Sequence, residues 1–123
     1  MSEIADFRSV ARFDDPDFVA MPMPGTGEQD VTWKNVSYDE ATGQGSYLMK
    51  MGPGTKSNPH IHHGPEEFYV LEGNIVDHDG FEYRAGEFVS LAGGSRHWSH
   101  SPLGCLLVVT HRGVVEDVAE AAI

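Results

Sequence analysis

Short runs of alternating polar and apolar residues, separated by Gly, Pro and Asp, make up most of the chain. Val31–Tyr38 (VTWKNVSY) reads as a strand, with Trp33 as a packing residue. In Ser46–Met51, Leu48 and Lys50 share one face, and Tyr47, Met49 and Met51 the other. Lys50 wants water, so the Tyr-Met-Met face is the expected interior one. Glu66–Leu71 and Asn74–Val76 follow, and Asp77-His78-Asp79-Gly80 is a hairpin signal because Asp-Gly accepts positive φ. Phe81–Arg84 returns, Ala85-Gly86 turns the chain into Glu87–Leu91, and Gly93-Gly94-Ser95 is a sharp loop before the extended segment His97-Trp98-Ser99-His100. Pro102–Gly104 turns again ahead of the apolar strand Cys105–His111. Before these elements, Phe13, Phe18 and Val19 mark an entry strand, and Met21–Gln29 is turn or loop by its Pro and Gly content. The tail Val114–Ile123 is compatible with a short helix or a fraying end. About eight or nine strands, with turns every six to twelve residues or so and no long helix, predict an antiparallel sandwich or barrel. The expected organisation is one domain over 1–123, with a barrel core at about 31–113, an N-terminal arm and a short tail.

Composition adds exclusions rather than a function. The 123 residues suffice for one buried core, and 14 Gly and 7 Pro suit many short strands joined by tight turns. The formal charge is -11, from 19 acidic against 8 basic residues, and no Lys/Arg cluster offsets it. A nucleic-acid partner is therefore not expected. No apolar run reaches membrane-spanning length, and MSEIADFRSVARF has no secretory apolar core, so no membrane partner and a cytoplasmic address are the expectations. The single Cys105 forbids an intrachain disulfide and reads as a small buried hydrophobe.

The chemistry concentrates in Gly54–Gly73, GTKSNPHIHHGPEEFYVLEG. Residues two apart in a strand point to one face, so His60 and His62 converge, and Glu66 shares their parity. Pro59 favours an extended backbone there. Two imidazoles and a carboxylate suit Fe(II), Zn, Mn, Ni or Cu. A single histidine in a strand is ordinarily packing or surface, and the remaining ones are read that way. His63 has the opposite parity and faces solvent, His78 lies in a hairpin, and His111 ends the last long strand as an edge residue. His100, three past His97, falls on the other face and is the candidate for a supporting contact.

These residues carry a resemblance. Gly54, His60, His62, Glu66 and Gly73 match the first cupin motif, G-x5-H-x-H-x3,4-E-x6-G, at every defined position. Gly86, Gly94 and His97 match the second, G-x5-P-x-G-x2-H-x3-N, with Ala92 and Ser101 in place of its Pro and Asn. Spacing to Gly73 selects Glu66 over Glu67, and parity agrees. The wider sequence resembles small single-domain cupins of the ChrR-type subgroup, which are similar to acetylacetone and dihydroxyacetophenone dioxygenases. The resemblance implies an all-β cupin double-stranded β-helix, a jelly-roll barrel with a divalent metal in one mouth. It implies His60, His62, Glu66 and His97 as ligands, although in some related diketone-cleaving enzymes only three histidines bind, which leaves Glu66 open as a supporting group or base. It also implies a homodimer.

Strand alternation gives an expected pocket wall of Tyr47, Met49, Phe68, Val70, Phe88 and Ser99, mostly apolar, with Arg96 beside it rather than inside. A neutral small-molecule ligand suits such a wall. The leading expectation is a non-haem Fe(II) dioxygenase acting on a small diketone, hydroxyketone or phenolic compound. The alternatives are a non-catalytic zinc- or ligand-binding module, like a ChrR sensor domain without its anti-sigma part, and a cupin isomerase or lyase, with Zn, Mn or Ni as the other metals.

Overall fold

Twelve strands run through residues 3–27 and 30–123, the part of the chain described by a computed structural model. In chain order they are β1 Val19–Ala20, β2 Val31–Asn35, β3 Gln44–Met51, β4 Thr55–Lys56, β5 His60–His62, β6 Glu66–Asp77, β7 Glu82–Arg84, β8 Phe88–Leu91, β9 Arg96–His97, β10 Ser99–Ser101, β11 Cys105–Arg112 and β12 Val115–Asp117. Short 3-10 turns at Ile4–Phe7 and Glu120–Ala122 flank them. No helix among the described residues is long and apolar enough to cross a membrane.

The larger sheet has the order β1-β2-β3-β11-β6-β10-β4, with β7 and β8 also pairing to β6; the smaller one is β12-β5-β9, and every pairing is antiparallel. β6 is the hub. The sequence suggests two strands, Glu66–Leu71 and Asn74–Val76, but the chain continues through Gly73, whose φ is +78°. A Cβ at Gly73 would stand 1.8 Å from the Gly104 carbonyl oxygen, so only glycine lets β6 and the start of β11 pass this closely. Beyond that point β6 leaves β11 and pairs with β7 and β10, which curls the sheet.

Alternation on β11 puts Cys105, Leu107, Val109 and His111 inside, and on β6 it puts Glu66, Phe68 and Val70 inside. Together with Trp33, Tyr47 and Met51 they build the core, as the Tyr-Met-Met pattern requires.

Three expectations shift. The strand expected over Val31–Tyr38 ends at Asn35, whose side chain accepts from Tyr38 N–H (2.8 Å) and donates to Tyr38 C=O (3.0 Å), closing a turn. The segment His97–His100 is divided at Trp98, with His97 in the small sheet and Ser99–Ser101 in the large one. The tail is neither helical nor frayed at its start, since Val115–Asp117 pairs along the whole of β5. Of the loop expected at Met21–Gln29, residues 21–27 are turns and irregular backbone, while Glu28 and Gln29 lie outside the described residues.

Candidate metal centre

The small sheet exists around two histidines. His60 pairs with His97 of β9 on one side and with Asp117 of β12 on the other, while His62 pairs with Val115. All three imidazoles are buried. Nε2 of His62 is 3.1 Å from Nε2 of His60 and 3.1 Å from Nε2 of His97. Glu66, at the start of β6, brings Oε1 to 3.5 Å from His62 Nε2 and Oε2 to 3.4 Å from His111 Nε2. Two sets result, His60-His62-His97 and His62-Glu66-His111, the ligand atoms of each lying within 4.8 Å of one another, with His62 in both.

The outer nitrogens show how the rings are held. His60 Nδ1–H donates to the Asn58 carbonyl at 2.6 Å, and His97 Nδ1–H donates to Asp77 Oδ1 at 2.8 Å. With the proton on Nδ1, the neutral rings of His60 and His97 aim bare Nε2 lone pairs inward. Asp77 is itself fixed by the Tyr83 hydroxyl, which donates to Oδ2 at 2.5 Å.

Electrostatics keep the His60 and His62 rings in the neutral, metal-binding form. Burial, followed by the neighbouring His97, pushes His60 down to about 4, and burial pushes His62 lower still. At His97 burial acts downward too, but the bond and the charge of Asp77 outweigh it and the value is raised. Burial lifts Glu66 to about 7.

A divalent cation fits this arrangement. The group is rich in acceptors, and no Lys or Arg among the described residues lines the cavity around it. The 3.1 Å nitrogen spacing is that of two ligands each about 2.1 Å from one ion and at roughly right angles. His60, His62 and His97, with Glu66 beside them, are the residues that would hold it.

The set opens into a cavity of about 70 Å³. Of the residues expected on its wall, Tyr47, Met49, Phe68 and Ser99 line it. Val70 is fully buried in the core and does not reach it. Phe88 is 70% exposed: it pairs with the outward-facing Tyr69, so β8 turns Val89 and Leu91 inward instead. Arg96 is exposed and donates to the Ala122 carbonyl at 3.4 Å, outside the cavity. His63 is exposed, as its parity predicts, and pairs with Glu116 at 3.0 Å, and His78 is exposed too. His100 contacts the Trp98 ring rather than a ring of the site.

Three contributors escaped the sequence reading. His111 is not an edge residue but is buried opposite Glu66; its place on the inward parity of Cys105, Leu107 and Val109 was the available signal. Asp77 read as the start of a hairpin, yet it ends β6 with a buried carboxylate. Gly25 lies against the His60 ring, so that a Cβ there would be 2.9 Å from both Cγ and Nδ1. Its N–H donates to Asp117 Oδ1 at 2.6 Å and its C=O accepts from Asn58 N–H at 2.9 Å, strapping the loop across the cavity.

Fold and site together define a cupin. The sequence matches the ChrR cupin-like domain family over residues 8–115, and the chain belongs to that family. Among solved structures it is similar to an acetylacetone dioxygenase from Acinetobacter johnsonii, at 17% identity and a TM-score of 0.79, covering 94% of this chain and 81% of that one. A candidate acetylacetone dioxygenase from Methylibium petroleiphilum PM1 gives 18% identity and a TM-score of 0.78, with 94% and 84% covered. The anti-sigma factor ChrR, in its complex with SigE from Rhodobacter sphaeroides, gives 19% identity and a TM-score of 0.60 over 81% of this chain and 51% of that one. At these identities the likeness establishes the fold. No curated protein sequence matches the chain.

Proposed function

We propose that this protein is a metal-dependent dioxygenase of the non-haem Fe(II) type that cleaves a small diketone, hydroxyketone or phenolic compound. The observation that carries the reading is the buried three-imidazole set, with the Nδ1 protons of His60 and His97 engaged elsewhere, opening into a small and mostly apolar cavity. Similarity in fold to acetylacetone dioxygenase supports it.

His60, His62 and His97 would hold the metal, and Asp77 and the Asn58 carbonyl keep two of those rings in the required tautomer and orientation. Bound there, Fe(II) would supply Lewis acidity toward an enolic substrate and the electrons that let dioxygen react. Met21, Met49, Phe68 and Leu107 exclude water from the reacting atoms, and Ser99 lines the same wall. A cavity of about 70 Å³ has room for about five waters, which suits a ligand of few non-hydrogen atoms. The lack of Lys and Arg in its lining suits a neutral ligand. Dioxygen is the oxidant: one C–C bond breaks and each carbonyl product takes one oxygen atom. Titrating anaerobic Fe(II)-loaded protein with diketones, hydroxyketones and phenols, then admitting O2, tests the proposal. A chelate absorption followed by oxygen uptake is expected, and silence across the whole panel would overturn it.

The family match supports a second reading, a zinc- or ligand-holding module without turnover. Zinc retained in protein purified from its own host, with no oxygen uptake under any metal, would favour that reading. Turnover of a panel member without oxygen uptake would point to isomerase or lyase chemistry.

A further inference from the structure

We infer that Thr26 and Ser57 form a hydroxyl subsite under the strap that crosses the cavity, and that it takes an uncharged hydroxyl of the ligand separate from the oxygens that meet the metal. The inference rests on the small-ligand reading above and narrows it to a hydroxyketone that carries one more hydroxyl.

Thr26 is out of place as a packing residue. The strap lines the cavity with Met21, Met23, Pro24, Gly25 and Thr26, so this hydroxyl stands in otherwise apolar company. Thr26 is only 7% exposed, and its Oγ1 has no hydrogen-bond partner among the described residues. A buried hydroxyl without a partner costs stability, and valine offers nearly the same shape without that cost. The strap is also fixed. Met21 N–H donates to the Val31 carbonyl at 3.2 Å, Gly25 N–H to Asp117 Oδ1 at 2.6 Å and Thr26 N–H to the Met23 carbonyl at 3.4 Å.

Ser57 faces the strap. Gly25 C=O accepts from Asn58 N–H at 2.9 Å, and a Cβ on Gly27 would stand 3.0 Å from the Lys56 carbonyl oxygen. Residues 25–27 therefore run alongside 56–58 in the opposite direction, with Thr26 and Ser57 in the middle of each segment. Ser57 lines the cavity too. Its Oγ accepts from Ser99 N–H at 2.9 Å and its N–H donates to the Ser99 carbonyl at 2.8 Å, which fixes the residue and leaves its hydroxyl proton to donate. The phenol of the cavity, Tyr47, is already engaged with His111 Nε2 at 2.8 Å.

Position and chemistry define the ligand group. The strap meets His60 at Cγ and Nδ1, each 2.9 Å from a Cβ on Gly25, whereas the nitrogen turned toward His62 is Nε2. The subsite thus approaches from the side of His60 that would not hold the ion. Two hydroxyls that donate and accept without charge match a third hydroxyl. No Lys or Arg among the described residues lines the cavity to match a carboxylate or phosphate.

Two probes of equal size test this on Zn(II)-loaded protein, in which the metal cannot drive redox chemistry. Dihydroxyacetone and 1-hydroxy-2-butanone share one hydroxyketone unit and differ at the other end, a hydroxyl in the first and a methyl group in the second. In calorimetric titration the native chain is expected to prefer dihydroxyacetone by roughly tenfold. Thr26→Val should erase the preference, Thr26→Ser should keep it, and Ser57→Ala should narrow it to roughly threefold. Without ligand, Thr26→Val should leave the urea midpoint unchanged or raise it, because the hydroxyl it removes supports nothing in the protein. The inference is overturned if the native chain shows no preference or binds neither probe, or if Thr26→Val keeps the preference. It is equally overturned if Thr26→Val fails to fold or lowers the midpoint, since the hydroxyl would then have a structural role. Failure of the oxygen reaction is a separate result: these titrations involve no turnover, and loss of the preference would leave the oxygen chemistry standing.

Discussion

His97 donates its Nδ1 proton to Asp77, 2.8 Å away, and the two residues come from different sheets. Asp77 is the last residue of β6 and His97 lies on β9, so this bond ties the small sheet that carries the imidazoles to the hub of the large one. Burial raises the Asp77 carboxyl, but the hydrogen bonds from His97 and Tyr83 outweigh it and hold Asp77 below the usual range, hence ionised. An ionised carboxylate behind a ligating ring fixes its rotation and makes its inner nitrogen a better donor to a metal.

Asp77→Asn should therefore weaken metal binding while leaving the fold intact. The amide keeps the shape and can still accept from His97 through its oxygen, but the charge is gone. A loss of about 10–100-fold in metal affinity is expected, by analogy with other partners behind ligating histidines. Competition against a chelating dye measures it, and Tyr83→Phe, which frees the other carboxylate oxygen, should give a smaller loss in the same direction.

Gly25 offers a controlled comparison with Gly80. Their φ angles are +88° and +89°, so alanine at either position meets the same left-handed backbone cost, about 1–2 kcal/mol. Only at Gly25 would the new Cβ press on the His60 ring, at 2.9 Å, whereas nothing lies within 4 Å of one at Gly80. Both variants should lose similar stability in chemical denaturation, and only Gly25→Ala should also lose metal affinity. Equal affinities would show that the loop does not brace His60.

The divide between what is readable in the sequence and what is not follows the range of the interactions. The Tyr47-Met49-Met51 face and the inward parity of His60, His62 and Glu66 depend on strand periodicity alone, so they are legible locally and the structure brings them to one interior. The phase of β8 is not local. Phe88 faces out because its cross-strand partner Tyr69 does, and that pairing requires the fold. β12 is likewise a strand only because β5 offers it an edge, since the short run Val115–Asp117 has too little pattern of its own. Asp77 and His111 act through contacts 20 and 45 residues distant in sequence from His97 and Glu66 respectively. No local spacing could pair them, although the parity of β11 marks His111 as inward.

Metal content separates the buried histidines from the exposed ones. His60→Ala and His97→Ala each remove one of three converging nitrogens and should abolish stoichiometric metal in protein purified from its own host. His63→Ala and His78→Ala alter exposed rings outside the set and should leave metal content unchanged. Elemental analysis of the four variants beside the native chain checks both halves. Full metal in either of the first two would sink the assigned centre.

The metal-free protein should lose stability as the pH falls from neutrality to about 4. Burial depresses His60 and His111 to about 4 from an ordinary 6.5, and depresses His62 further. Between those values the unfolded chain holds protons on three imidazoles that the folded chain does not, so stability present above 6.5 is lost as the pH drops through the folded values. Glu66 works with the opposite sign. Burial raises it to about 7 from 4.5, so across the same window the folded chain holds one proton that the unfolded chain lacks. Three imidazoles against one carboxyl leave a net uptake of about two protons on unfolding, and stability rises with pH, by a few kcal/mol in order of magnitude. Above about pH 6.5 the sign reverses, because the imidazole contribution is complete there while Glu66, up to its folded value of about 7, and His97, raised above 6.5, still hold protons in the folded chain that the unfolded chain has lost. Urea midpoints of chelator-treated protein between pH 4.5 and 8.5 should therefore pass through a maximum near neutrality. Glu66→Gln should steepen the acid side by removing the opposing proton and flatten the alkaline side. Bound metal should sharpen the acid loss, since protons then compete directly with the ion for His60, His62 and His97.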